Sequence, residues 1–306
     1  MLLRPRIVVL VFLASAMLIA QDVPRINVST EEAASHLIKK VDPDYPEFAK
    51  AAGIQGVVRI SVGINSEGLI RNITHEELEV TGPPSLEEAA EKAITQYLYK
   101  PFEKDGKHAN ANTIVEVPFQ LSPGITPHTY PLPALTFDSF FGKDIKTGIL
   151  VPFSSLSPRL QKWFRGALND SIDTSNSPSG QELQKDEAIR GTWVNQIPGN
   201  DPQARLYVLH TAGNAYCGGA GGNCLVTLVE ERGEKIRLVT QTSANSYFLH
   251  PRPGSAFPDV FFSHHMGMGI LDFEGYANID SLWGQLYCGT IIGEYIPAKS
   301  HLQSCQ

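Results

Sequence analysis

Residues 45–56 read YPEFAKAAGIQG and predict a short helix that runs into a strand. Pro46 suits the first helical position, because the N–H that proline lacks would have no partner there. The apolar residues of this helix share one face at helical spacing: Phe48, Ala49 and Ala52. Gly53 can adopt the left-handed conformation that ends a helix, and a strand then follows. The stretch therefore marks a helix-to-strand junction, around which the neighbouring elements can be placed.

The next segments alternate as half-buried strands do. GVVRISVGI (56–64) places every second residue on one apolar face. The polar turn NSEG (65–68) leads into LIRNIT (69–74), and the two strands predict a hairpin. The irregular stretch HEELEV (75–80) predicts a bulge or an insertion.

A helix and a last strand complete this region. PPSLEEAAEKAITQYLYKP (83–101) has an apolar stripe at helical spacing, and Ser85 with Glu88 matches a capping box. NTIVEVPFQL (112–121) alternates again. Because Pro118 has no backbone donor, we expect this strand to lie at a sheet edge or to carry an irregularity.

The first twenty residues have the pattern of an export signal. Arg4 and Arg6 precede the apolar run from Ile7 to Ala20, and a polar residue follows. The alternative is an uncleaved anchor, but a span needs about 20 apolar residues and this run is shorter. We expect cleavage after Ala20 and a periplasmic protein. A net charge of -7 argues against a nucleic-acid partner, which calls for a basic face.

The four cysteines are an even set in a chain predicted to reach an oxidising compartment. Three pairings are open. The glycines of CGGAGGNC permit a tight return, so we favour Cys217–Cys224 with Cys288–Cys305. Neither pair has the ligand spacing of a zinc site, and we expect no metal or other cofactor.

The rest of the chain predicts a proline-rich linker and a mainly β region. SPRLQKWFRGALNDSI (157–172) predicts a helix capped by Ser157, and the polar stretch 173–187 predicts a mobile loop. Short apolar runs separated by turns dominate from Arg205 onward and predict antiparallel strands. We expect the following divisions: signal peptide 1–20, N-terminal segment with a short helix 21–40, first domain 41–121, linker 122–136, and mainly β, cysteine-containing domain 137–306.

The first domain resembles the TonB C-terminal domain. The resemblance covers roughly residues 40–122 and follows the ordered pattern Tyr45-Pro46, Ala49, Gly53, Gly56, Gly68, the Leu86…Ala93 helix, and Tyr97, Tyr99 and Pro101. Tyr97 stands where the family usually has tryptophan. The resemblance implies an α+β fold, with a small module of helices on a three-stranded antiparallel sheet before the β domain.

The resemblance also implies binding by strand addition in the cell envelope, because the family engages an extended receptor segment alongside its last strand. The partner would be a protein or peptide, including a component of outer-membrane transport. The edge predicted to bind it consists of Thr113, Ile114, Val115, Glu116, Val117, Phe119 and Gln120. The plainer interpretation is that this strand is only structural, or that the linker or the second domain covers it. Only about two dozen residues separate Ala20 from Tyr45. This segment is shorter than the arm through which energy-transducing members of the family couple this domain to a motor in the inner membrane, so we expect no such coupling.

An exported hydrolase or metal enzyme is the alternative function, with its activity in the second domain. The residues that could carry it are Asp259, His264, His265 and Asp272. Adjacent histidines on a strand point to opposite faces, so His264 and His265 cannot share one site. We therefore expect a binding protein and no enzyme.

Overall fold

We describe the protein from a computed structural model. The described residues are 23–71, 83–123, 133, 135, 148–168, 178–211, 216–218, 222–267 and 270–292. The predicted signal peptide, the stretch HEELEV and Cys305 lie outside these ranges. Within them, no helix is long and apolar enough to cross a membrane. Helices and mainly antiparallel sheets are both present, which confirms the α+β class.

The first region, up to residue 123, forms a larger sheet, called the first sheet, with helices on one face, and a separate two-stranded sheet. Its described helices are α1 (Thr30–His36), α2 (Glu47–Ala52) and α3 (Pro84–Ile94). Its described strands are β1 (Arg25–Asn27), β2 (Leu37–Lys39), β3 (Gly56–Ile64), β4 (Ile70–Arg71), β5 (Leu98–Tyr99), β6 (Phe102–Lys104) and β7 (Lys107–Phe119). The first sheet has the order β1, β7, β3, β4, with β6 also paired to β7. The three predicted strands are present, and β1 adds to them in parallel.

Local sequence signals explain most of these boundaries. Gly53 ends α2 in the left-handed conformation, with φ at 69°. Ser29 caps α1 by accepting a hydrogen bond from the Glu32 N–H at 3.1 Å. The predicted cap of α3 is wrong, because the helix begins at Pro84 and Ser85 already lies inside it. Proline is pre-organised for the first helical position, so the helix starts at Pro84, two residues before the start that a cap at Ser85 would give.

The second region contains two further sheets. The second sheet consists of β8 (Ile149–Val151), β9 (Thr192–Ile197), β10 (Ala204–Thr211), β11 (Cys217–Gly218), β12 (Asn223–Arg232) and β13 (Lys235–Ala244). The third sheet consists of β14 (Ser246–His250), β15 (Asp259–Gly267), β16 (Ile270–Ile279) and β17 (Leu282–Ile292). Two helices, α4 (Pro158–Ala167) and α5 (Pro178–Arg190), precede β9. All described strand pairs of this region are antiparallel.

The loop predicted at residues 173–187 is wrong for residues 178–187, which belong to α5. Good helix formers dominate this part, and their propensity outweighs the serines and proline that suggested a loop. Arg165 of α4 binds Glu182 at 2.8 Å and Asp186 at 2.7 Å, so ion pairs hold the two helices together. Residues 169–177 lie outside the described ranges.

One hydrophobic core joins the two regions. It contains apolar residues of α2, α3 and the first sheet together with residues of β14 to β17, and also Leu135 from the predicted linker. Phe48 of α2 lies against Gly284 of β17, where an added side-chain carbon would collide with the Phe48 ring. The helices α2 and α3 are thus covered on both faces, one by the first sheet and one by the third.

Two more cores complete a layered arrangement. Apolar residues of the second and third sheets pack face to face, including Leu206, Val208, Val260 and Phe262. The other face of the second sheet is covered by α4 and α5. The order of layers is therefore helices, second sheet, third sheet, helices, first sheet. This order leaves the outer face and one edge of the first sheet for the site described below.

The disulfide Cys217–Cys224 is present, and it joins directly opposed residues of β11 and β12. Cys288 is also disulfide-bonded. No free cysteine occurs among the described residues.

Candidate protein-binding edge of the first sheet

The backbone of β7 faces a different neighbour on each side. On one side it pairs antiparallel with β3 over residues 111–119. On the other side lies β1, where the Asn110 N–H donates to the Pro24 carbonyl at 2.8 Å and the Val28 N–H donates to the Asn112 carbonyl at 2.9 Å. The N–H and C=O groups of successive residues in a strand point to opposite edges. In β7 the backbone groups of the even-numbered residues therefore point away from β3.

The described residues leave the outward side of β7 unpaired after β1 ends. No strand in the described part of the chain pairs with this side beyond Asn112. The N–H and C=O groups of Ile114 and Glu116, and the C=O group of Pro118, therefore point away from the sheet. Pro118 falls in the outward row, where its missing donor costs no bond to β3. We call Ile114–Pro118 the open edge.

The side chains of β7 alternate between core and solvent. The inner row is buried and consists of Thr113, Val115, Val117 and Phe119. In the outer row, Ile114 is 48% exposed and the side chain of Glu116 is 46% exposed. Gln120 follows the end of the strand and is exposed. The open edge thus carries an apolar side chain and an acidic side chain on the solvent face.

Among the described residues, Glu116 has an ion-pair partner only on its β3 side. Arg59 lies directly opposite on β3, and its Nε donates to Glu116 Oε1 at 2.8 Å. Both side chains are about half exposed, so solvent screening limits this pair to about 0–1 kcal/mol. The second carboxylate oxygen, Oε2, accepts no hydrogen bond from a described residue. Glu116 therefore keeps an acceptor available beside the open edge.

The helix-to-strand motif fixes the far end of β7. The Tyr45 hydroxyl donates to the Ile54 carbonyl, and the Tyr45 ring meets the Phe119 ring edge-on, with centroids 5.4 Å apart. Burial raises the pKa of Tyr45, so its hydroxyl stays protonated and able to donate. Gln55 accepts a hydrogen bond from the Leu121 N–H at 2.9 Å. These contacts fix the C-terminal end of β7, which adjoins the open edge.

The seven residues predicted from the sequence fall into different positions. Ile114 and Glu116 direct backbone groups to the open edge, and Gln120 lies beyond the strand. The backbone groups of the others face β3: Thr113, Val115, Val117 and Phe119. Sequence reasoning missed the carbonyl of Pro118, although the missing donor of this residue was a signal for an edge position.

Asp259, from the alternative site in the second domain, forms a structural ion pair. Its two carboxylate oxygens accept hydrogen bonds from Nε and Nη2 of Arg252, each at 2.8 Å. Arg252 Nη2 also donates to the Tyr287 hydroxyl at 3.1 Å. Burial raises the pKa of Asp259, while Arg252 acts in the opposite direction. The carboxylate is buried, and both of its oxygens accept hydrogen bonds from Arg252.

The other three residues do not join Asp259. His264 lies on the opposite face of β15, with Nε2 3.4 Å from Glu274 Oε1 and Nδ1 donating to the Ser243 carbonyl. Asp272 is opposite His264 on β16. His265 shares a face of β15 with Asp259, but six residues of strand separate the two by about 20 Å. Within the described ranges, no three His, Cys, Asp or Glu side chains are grouped closely enough to hold a metal ion.

These observations define a class of protein: an α+β protein whose first region presents a sheet edge with which no described strand pairs. Residues 41–121 match the family of the Gram-negative bacterial TonB protein C-terminal domain, so this part of the chain belongs to that family. The match covers 81 of the 306 residues. No curated protein matches the chain. The family consists of non-enzymatic protein-interaction domains and implies a protein of the cell envelope.

Proposed function

We propose that this protein is exported to the periplasm and binds an extended segment of another envelope protein by strand addition at the open edge. The observation that carries the proposal is the outward row of backbone groups on β7, with which no described residue pairs after Asn112. A component of outer-membrane transport fits the family to which residues 41–121 belong.

The open edge suits a short strand. It offers the N–H groups of Ile114 and Glu116 and the C=O groups of Ile114, Glu116 and Pro118. An added strand of about five residues would satisfy all of them, since strand residues alternate their bonding side. Backbone pairing supplies affinity in such complexes, and side-chain contacts supply specificity.

The surroundings favour approach from this edge. Helices α2 and α3 are covered by the third sheet on their far side, so they are not available as a binding face. The inner row of β7 is buried. A partner can therefore reach β7 through its open edge and its outer face.

Two variants of Glu116 test the proposal. Glu116→Ala removes the carboxylate and keeps the N–H, whereas Glu116→Pro removes both. The proline is placed in the outward row that already accommodates Pro118, so pairing with β3 is retained. The probe is the blocked heptapeptide TVTQTVT, titrated into ¹⁵N-labelled protein that lacks residues 1–20.

We expect the amides of Ile114 and Glu116 to shift and to become protected from hydrogen exchange, while Val115 and Val117 change little because they already bond to β3. Glu116→Pro should bind about three- to tenfold more weakly than Glu116→Ala, which is the loss expected for one backbone hydrogen bond. Equal affinities for the two variants, or peptide-induced shifts elsewhere with none on β7, would show that the open edge is not the binding site.

A further inference from the structure

We infer that the open edge selects a partner segment with the pattern apolar–x–basic–x–apolar, where x is any residue. The inference rests on the proposed function, because it concerns the partner of the same edge. It follows from the side chains that stand in line across the outer face of the first sheet.

The pairing of β3 with β7 places the outer side chains in three rows. Ser61 is opposite Ile114 and Arg59 is opposite Glu116. The third row pairs Val57 with Pro118. An added strand would extend each row by one residue, about 4.8 Å beyond β7. The residues that meet a partner are therefore apolar, acidic and apolar in sequence.

The middle row favours a basic residue in the partner. The new side chain would lie next to Glu116, whose Oε2 has no hydrogen-bond donor among the described residues. Arg59 is on β3, about two strand spacings from the added strand. Salt therefore screens its repulsion of a basic partner residue more strongly than it screens the attraction of Glu116. Opposite charges in directly facing positions stabilise a strand pair, and like charges destabilise it.

The two flanking rows favour apolar residues. Ile114 is half exposed and gains burial from an apolar neighbour. Pro118 is exposed beside the half-buried Val57. Neither row offers a charged group to a partner, whereas a polar partner residue would leave the Ile114 side chain in contact with water.

The pattern reads the same in both directions, so it applies to a parallel and to an antiparallel partner. The protein also carries a net charge of -7, which attracts a basic segment over longer distances. Both the local row and the overall charge therefore favour a cation at the centre of the bound segment.

Three blocked heptapeptides that differ only at the central residue test this inference: TVTKTVT, TVTQTVT and TVTETVT. We expect the lysine peptide to bind about threefold more tightly than the glutamine peptide, and the glutamate peptide to bind more weakly than both. The order should flatten as the salt concentration rises, because the pair is exposed to solvent.

A charge-swapped variant provides the matched control. Arg59→Glu with Glu116→Arg keeps an ion pair between β3 and β7 but reverses the charge beside the open edge. We expect this variant to prefer the glutamate peptide over the lysine peptide. The measurement is the dissociation constant from the amide shifts of Ile114 and residue 116.

The outcomes separate the two proposals. Equal binding of all three peptides with shifts on β7 overturns the inference and leaves strand addition standing. A lysine preference that persists in the charge-swapped variant also overturns it, because the preference would then arise elsewhere. If none of the peptides shifts β7 in the folded protein, both the inference and the proposed function fail.

Discussion

The contact between Phe48 and Gly284 joins the two regions, and its contribution to the stability of the protein can be tested. Phe48 lies in helix α2 of the first region, and Gly284 lies in β17 at the other end of the chain. The three atoms closest to a side-chain carbon added at Gly284 all belong to the Phe48 ring. Gly284→Ala should therefore collide with that ring, and Phe48→Ala should provide the space that the new methyl group needs.

The structure sets the size of each effect. Phe48 is almost fully buried, so Phe48→Ala should lower the free energy of unfolding by about 3–5 kcal/mol. Overpacking by Gly284→Ala should cost about 1–3 kcal/mol, since a rigid ring must move. In the double variant the methyl group partly fills the cavity, and we expect a loss at least about 1 kcal/mol smaller than the sum of the single losses.

Urea unfolding followed by tryptophan fluorescence measures these values, and Trp283 reports on the neighbourhood because it precedes Gly284 in the chain. Leu160→Ala is a control, since Leu160 is buried in the separate core beside α4. Its cost should add to that of Gly284→Ala. Additivity of Phe48→Ala and Gly284→Ala within about 0.5 kcal/mol would refute direct packing of α2 on β17.

Two further predictions concern ion pairs of the third sheet. Burial opposes the charged forms of His264 and Glu274, but their pairing outweighs it, raising the pKa of His264 above 6.5 and lowering that of Glu274 below 4.5. The pair should stabilise the folded protein most between about pH 4.5 and 6.5. This stabilisation should fade as the pH rises through the folded-state pKa of His264 or falls through that of Glu274. In urea unfolding measured across pH, His264→Gln should remove this dependence. Arg252→Ala leaves Asp259 buried without its cation and should cost about 3–5 kcal/mol at pH 7, and adding Asp259→Asn should recover part of it. An Arg252→Ala protein as stable as the wild type would contradict the buried pair, and an unchanged pH profile in His264→Gln would contradict the first prediction.

Much of the first region was predictable because its signals are local. Gly53 ends a helix through its own conformational freedom, and the period of two in β3 and β7 assigns buried and exposed rows without knowledge of the partner strand. The position of Pro118 at an edge follows from its missing N–H. The start of α3 was missed because Ser85 and Pro84 both suit a helix start, and local rules do not rank them.

The limits of the candidate site could not be predicted in this way. β1 covers β7 as far as Asn112, and the pairing is made by backbone groups, which carry no sequence signal of their own. The separation of Asp259 from His264 was similarly hidden, because it depends on the Arg252 pair and on the contact of His264 with Glu274. Such contacts join residues through the folded chain rather than through their spacing.

The sequence by itself determined the TonB-like module, its helix-to-strand junction at YPEFAKAAGIQG and the alternation of its last strand, since each depends on residues within a few positions of one another. Only the tertiary structure decided which backbone groups of that strand have no partner among the described residues and what covers the helices behind it. Phe48 illustrates the difference. Its helical spacing predicts that it is buried, but its packing against Gly284, more than two hundred residues later, depends on how the sheets stack.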